Sequence, residues 1–176
     1  MKKIMYLGFF LSLVTTASAV ILATVSEITS PIIQEAQAAG FSEALERSFP
    51  TATGSRILAT ADEIQELYIL EILEVLEGED TLGYIYTKSV PGLGGPILFL
   101  LGIGVDGIFT SFDVVSHSET PGIGDVIEQP VWSERIVDTP GHDDIEAITG
   151  ATGSTEAVIR AIGSGYENFR VRRPNQ

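Results

Sequence analysis

From Ile4 to Ser26 the chain carries no charged residue, and this run constrains the fold more than any other feature. As a helix, about 23 residues rising 1.5 Å each reach ~34 Å. The hydrocarbon core of a bilayer is ~30 Å thick, so the run crosses it with modest tilt. Lys2 and Lys3 precede the run, and Glu27 and Glu35 come after it. The positive-inside rule then predicts a short basic stub in the cytoplasm and the rest of the chain outside it, in a single pass of the cell (inner) membrane. Ala17-Ser18-Ala19 also has the small-residue pattern of a cleaved signal peptide. The apolar run continues past it as Val20-Ile21-Leu22-Ala23, where a signal peptide turns polar, which favours an anchor.

The sequence has 176 residues, and the part beyond the anchor is enough for one compact domain and hardly for two. The expected division is an anchor over 1–30, a linker with a short helix over 31–55, and an extracytoplasmic domain over 56–176. There is no cysteine, which excludes thiolate-bound iron–sulfur clusters, Cys-ligated zinc and disulfide staples. After the anchor the chain holds 8 basic and 24 acidic residues, a net charge of −16. Such a domain repels nucleic acid and anionic headgroups, so no nucleic-acid partner is expected. Arg170, Arg172 and Arg173 form the only cationic cluster after the anchor and read as a solvated tail.

Pro31 is expected to end or kink the membrane helix, since proline lacks a backbone donor and clashes one turn back. A short helix is expected around Phe41 to Ser48, closed by Pro50. Leu67 to Leu76 is apolar and dotted with glutamates, with a period that fits helix or strand. Leu82 to Val90 reads as a strand with Tyr84 and Tyr86 on one face and Ile85 and Thr87 on the other, entered through a Gly78-Glu79-Asp80 turn. Ile97 to Ile103 and Ile108 to Val115 are strand-like runs joined by Gly104-Val105-Asp106-Gly107, whose Asp-Gly pair signals a hairpin. Beyond Pro121 the chain turns loop-like, with a helix near Gln129 to Val137 and another from about Thr155 to Ile162, stopped by Gly163 and Gly165. The sum is an α+β domain, a mainly antiparallel sheet flanked by helices.

The most informative stretch is Glu146-Ala147-Ile148-Thr149-Gly150-Ala151-Thr152-Gly153-Ser154-Thr155, running directly into a helix. The first backbone N–H groups of a helix lack internal partners, and the macrodipole adds partial positive charge there. Small residues and hydroxyls in the preceding turn therefore suit a phosphate, above all one joined to Thr152. The same composition also caps helices with no ligand, Ser154 being an ordinary N-cap residue, and the physics alone leaves both readings open.

Thr149-Gly150-Ala151-Thr152, with Ser154-Thr155 behind it, resembles the flavinylation motif of the FMN-binding domain family. Glu146 occupies the acidic position three residues before that core, where the family usually has aspartate. Gly92-Leu93-Gly94-Gly95-Pro96-Ile97 is similar to the family's glycine-rich turn leading into a strand. His117-Ser118-Glu119-Thr120-Pro121-Gly122-Ile123-Gly124 is similar to its Glu-Thr-Pro-Gly-Leu-Gly loop, with Ile123 for the usual leucine. These segments occur in the family's order, and Ser26 to Ile32 resembles its exit from the membrane. Within the family the pattern is most similar to the G subunits of Rnf-type electron-transport complexes. The C subunits of sodium-pumping NADH:quinone reductases are related but typically longer between anchor and flavin core.

The resemblance implies covalent FMN, held by a phosphoester on Thr152, with Thr149, Gly150, Ala151 and Ser154 around the phosphate. It implies Glu119, Thr120, Gly122 and Ile123 lining the ring, with Leu93 and Gly94 as weaker candidates. The implied role is electron transfer in a membrane complex coupling ferredoxin:NAD oxidoreduction to ion translocation. The chain would be a redox subunit of this oxidoreductase, not catalytic alone, partnered by other membrane subunits and matured by a flavin transferase. The alternatives are a C-type quinone-reductase subunit or a solitary anchored flavoprotein. No metal site is expected, because His117 and His142 would need carboxylates from unrelated loops. Trp132 reads as a core or interface anchor before a flavin-stacking residue.

Overall fold

The computed structural model describes residues 2–60 and 68–172. Two compact units emerge, Met1–Gly40 and Phe41–Gln176. Helix α1 (Lys2–Ser48) supplies the first unit and the opening turns of the second. Its stretch Met5–Thr29 is long and apolar enough to cross a membrane, and each of its residues is exposed. The helix runs on through Pro31, so of the two outcomes expected there, an end or a kink, the end does not occur. One missing N–H removes a single hydrogen bond from a ladder that flanking turns on both sides keep in register. The short helix expected at Phe41 to Ser48 is the end of this same helix.

Five strands come next in an antiparallel meander, β1 (Gly54–Thr60), β2 (Ile69–Glu77), β3 (Asp80–Pro91), β4 (Pro96–Gly104) and β5 (Phe109–Ser116). The run from Leu67, ambiguous by period, is a strand from Ile69 onward; Leu67 itself lies outside the described residues. The turns at Gly78 and Gly107 take positive φ, as the hairpin signals required. Strand β1 carries no apolar alternation in its sequence because it is an edge strand with one buried residue, Ala59.

The two faces of β3 go to different cores. Tyr86 and Val90 join a large cluster with Ile72, Phe99, Leu101 and Phe109, covered by Trp132, Val158, Ile162 and Phe169. Ile85 joins a smaller cluster on the opposite face, covered by Ala44 and Phe49 at the end of α1. The domain is thus helix, sheet and helix in three layers. Alternation along one strand serves both interfaces.

After β5 come a 3-10 turn (Gly124–Glu128), a four-residue helix α2 (Pro130–Ser133) and the long helix α3 (Thr152–Arg172). The helix expected near Gln129 to Val137 is shorter than anticipated, with Pro130 in its first turn and Trp132 wholly buried. Helix α3 begins three residues earlier than expected and passes Gly163 and Gly165 without stopping. Both glycines are buried contact points. A Cβ at Gly163 would meet the His142 ring at 2.8 Å, and one at Gly165 would meet the Lys88 ammonium at 3.0 Å. Close packing, not termination, explains their place. Arg170 and Arg172 are exposed in the last turn, and Arg170 pairs with Glu167 at 3.2 Å; Arg173 lies outside the described residues.

Candidate functional site

Three segments distant in sequence converge on one buried carboxylate. Glu119 is 6% exposed. One of its oxygens accepts the Gly94 N–H at 3.0 Å, and the other accepts the Ser154 hydroxyl. Gly94 belongs to the turn between β3 and β4, Glu119 to the loop after β5, and Ser154 to the first turn of α3. The approach is close enough that a Cβ at Gly124 would meet the Glu119 carboxylate at 2.6 Å and the Ser154 hydroxyl at 2.9 Å. Ser154 does not cap the helix, as its sequence position allowed; its side chain is 1% exposed and committed to Glu119.

The loop carrying Glu119 is held from behind. The Glu119 N–H donates to His117 Nδ1 at 3.0 Å, while His117 Nε2 stands 2.9 Å from Glu128. With Nδ1 accepting, the ring proton sits on Nε2 and points at that carboxylate. The carbonyl of Thr120 accepts both the Ile123 and Gly124 N–H groups at 3.1 and 3.0 Å, which closes the turn and leaves its side chain exposed. Among the described residues no group of three His, Cys, Asp or Glu side chains is arranged to hold a metal.

Beside this clasp lies a cavity of about 310 Å³. Gly122 and Ile123 line it from the loop after β5, and Thr149, Gly150 and Ala151 line it from the turn before α3. Asp125, Val126, Gln129 and Ile148 complete the wall. Gly122 and Gly150 both take positive φ, which bends the backbone around the opening. The Thr149–Ala151 turn is fixed by Thr155, whose hydroxyl accepts the Ile148 N–H at 3.2 Å and donates to the Ala151 carbonyl at 2.9 Å.

Thr152 is exposed at the first position of α3, directly after that wall. Leu93 lies over the neighbouring Gly153, where a Cβ would meet its side chain at 2.6 Å, and is itself 77% exposed. Glu146 is exposed, and Trp132 is in the core and does not border the cavity. The four wall residues that sequence reasoning missed carry no motif, except that Asp125 stands immediately after the glycine-rich loop. An acid three residues after Gly122 can accept its N–H, as in half a capping box, and it does so at 2.9 Å.

A cavity lined by both apolar and polar residues, next to an exposed hydroxyl at a helix start, suits a phosphorylated ligand. Residues 92–167, which contain all three converging segments, match the model of the FMN-binding domain family. Over 169 residues the chain is 30% identical to the G subunit of the ion-translocating oxidoreductase complex of Methanosarcina acetivorans, covering 88% of each protein. It is 25% identical over 193 residues to the G subunit of the Na(+)-translocating ferredoxin:NAD(+) oxidoreductase complex of Acetobacterium woodii, covering 96% of this chain and 93% of that one. Among solved structures, NqrC of Shewanella oneidensis aligns with a TM-score of 0.48 at 19% identity, over 57% of this chain and 61% of that one. The family match and the fold define the class, an FMN-binding domain joined to a helix of membrane-spanning length. The chain belongs to the family of G subunits of ion-translocating oxidoreductase complexes.

Proposed function

We propose that this chain carries FMN as a phosphoester on Thr152 and relays electrons within a membrane complex coupling ferredoxin:NAD oxidoreduction to ion translocation. One observation carries the reading. Thr152 is exposed at the first position of α3, beside a cavity walled by both the Gly122-Ile123 loop and the Thr149–Ala151 turn. The first N–H groups of α3 and the positive end of its dipole favour a phosphate at that hydroxyl. Thr149, Gly150 and Ala151 form the wall nearest the ester, and Gly122, Ile123 and the Thr120 turn face the ring. Glu119 and Ser154 act as positioning residues that keep the three segments together, and Leu93 shields the approach to the attachment point.

Bound FMN supplies reversible uptake of electrons; this chain's residues supply position and polarity. The tether keeps the cofactor at high local concentration outside the cytoplasm, where Lys2 and Lys3 orient the helix to send the domain. Other membrane subunits are its electron partners, and a flavin transferase installs the cofactor.

The test is expression of the full chain with a flavin transferase, followed by denaturing electrophoresis under ultraviolet light and intact-mass analysis. A fluorescent band that survives denaturation and disappears in Thr152→Ala is expected. A dark wild-type band with residue 152 bare, from cells whose transferase modifies a control substrate, refutes the reading. Purification in mild detergent from the native host is expected to bring further subunits with it; recovery of the flavinylated chain alone refutes the complex.

A further inference from the structure

The two hydrogen bonds of His117 fix which protons its ring carries. Nδ1 accepts the Glu119 N–H at 3.0 Å and therefore bears no proton, while Nε2 stands 2.9 Å from a Glu128 oxygen and bears the one ring proton. The His117 side chain is only 12% exposed. A second proton has one place to go, Nδ1, where it would meet the Glu119 N–H donor against donor. A charged His117 ring and the loop as folded exclude each other.

The charges nearby leave this decision to two groups. Glu128, on the 3-10 turn, draws a proton to the ring, and the Nδ1 bond opposes it. Asp125 on the same turn accepts the Gly122 N–H, and the Glu119 carboxylate is taken up by Gly94 and Ser154. Asp113 on β5 and Arg47, which line a hollow together with Glu128, pair with each other at 2.8 Å. Strand β4, helix α2 and the Gly92–Gly95 turn bring no titratable side chain, and the first charged residue of α3, Glu156, is exposed.

The residue that His117 holds is the one that assembles the site. Glu119 joins Gly94 to Ser154, and the same loop enters the cavity wall three positions later at Gly122 and Ile123. We propose that His117 is a positioning residue for this cavity, holding the Glu119–Gly124 wall only while its ring is neutral, so that acid releases the wall. The use of the cavity for FMN rests on the reading above, whereas the latch exists with or without the cofactor. Two substitutions separate the ring nitrogens. His117→Asn places an amide oxygen near the Nδ1 position and takes up no proton; His117→Gln places its amide near the Nε2 position and leaves the Glu119 N–H unmet.

The experiment is amide hydrogen exchange by mass spectrometry on the full chain in detergent, from about pH 8 to about pH 5, the span in which imidazoles titrate. Rates are corrected for the intrinsic pH dependence of exchange, a β4 fragment serves as internal control, and intact mass records whether Thr152 carries flavin. In wild type the fragment holding Glu119 is expected to exchange at least about tenfold faster at the acid end while β4 stays protected. His117→Asn should keep the loop protected throughout, and His117→Gln should leave it unprotected throughout. Protection that does not change with pH in wild type, a His117→Asn loop that opens in step with wild type, or a protected His117→Gln loop overturns the proposal, as does β4 opening together with the loop. Should His117→Gln fail to fold, wild type and His117→Asn decide. A bare wild-type Thr152 with a loop that opens in acid overturns the attachment and leaves the latch standing.

Discussion

Replacing Glu119 tests whether one carboxylate assembles the site. Its two acceptor bonds, from the Gly94 N–H and the Ser154 hydroxyl, are made where water does not reach, since Glu119 is 6% and Ser154 1% exposed. A hydrogen bond to a charged group contributes about 1.5–3 kcal/mol, and a buried donor left without its acceptor loses that amount in full. Glu119→Ala should therefore cost about 3–6 kcal/mol, a large part of the roughly 5–15 kcal/mol typical of a folded domain. Glu119→Gln keeps one acceptor oxygen, and the serine hydroxyl can turn to accept from the new amide, so its cost should be about 1–2 kcal/mol. Trp132 is the only tryptophan and is fully buried, which makes its emission a direct report of domain unfolding by urea in the detergent-solubilised full chain. A cycle with Ser154→Ala should return a coupling of at least about 1 kcal/mol. Equal losses for the alanine and glutamine variants, or energies that add within about 0.5 kcal/mol, would falsify the clasp.

Packing, backbone and titration supply independent checks. Gly163→Ala should lower stability by about 1–3 kcal/mol, because the added methyl meets the His142 ring at 2.8 Å, read by the same tryptophan-monitored unfolding. Gly150→Ala forces alanine to φ +93° at a cost of about 1–3 kcal/mol and should slow flavin loading, followed by in-gel fluorescence over time with purified transferase. On the sheet, the Thr81 hydroxyl holds the Glu74 carboxyl below the usual carboxylate range; burial opposes this and Arg56 adds to it. A lowered folded pKa stabilises above the unfolded value, and that stability is lost as pH falls through the folded one. Thr81→Val should then raise the Glu74 pKa in a carbon-13 NMR titration. Its pH-dependent stability deficit should be full at neutral pH and vanish once Glu74 is protonated in both states.

Periodicity told the sheet and its faces well where burial was two-sided. Tyr86 and Ile85 alternate in sequence, and they enter separate cores in space. It failed at β1, where a single buried residue leaves no alternation to detect. It failed again in α3, because Gly163 and Gly165 look like helix stops locally and only a tertiary contact reveals why they are small. The helix end offered at Pro31 was overridden in the same way, since the penalty of one lost hydrogen bond is local while helix length is cooperative. The motif segments were legible because each needs glycine or proline at fixed places. Their meeting at Glu119 was not, because nothing in a loop's own sequence says which distant helix its carboxylate will reach.

Glu119 and Asp125 stand six positions apart on one loop, and their environments divide two kinds of work between similar groups. Glu119 has both oxygens met by donors of the protein itself, so its charge is used up in holding the turn, the loop and the helix in register. Asp125 has one oxygen met by Gly122, enough to fix its rotamer, while the other faces no protein donor among the described residues. A group saturated by the fold stabilises the fold in full, whereas a buried acceptor left half satisfied gives back part of what its other bond contributes. Substitution should separate the two. Loss of the Glu119 carboxylate should lower the unfolding free energy by several kcal/mol, about 3–6, while Asp125→Asn, whose remaining oxygen still meets the Gly122 N–H, should unfold within about 1 kcal/mol of wild type. If the two variants exchanged these phenotypes, hydrogen-bond saturation would not be the property that distinguishes the two groups here.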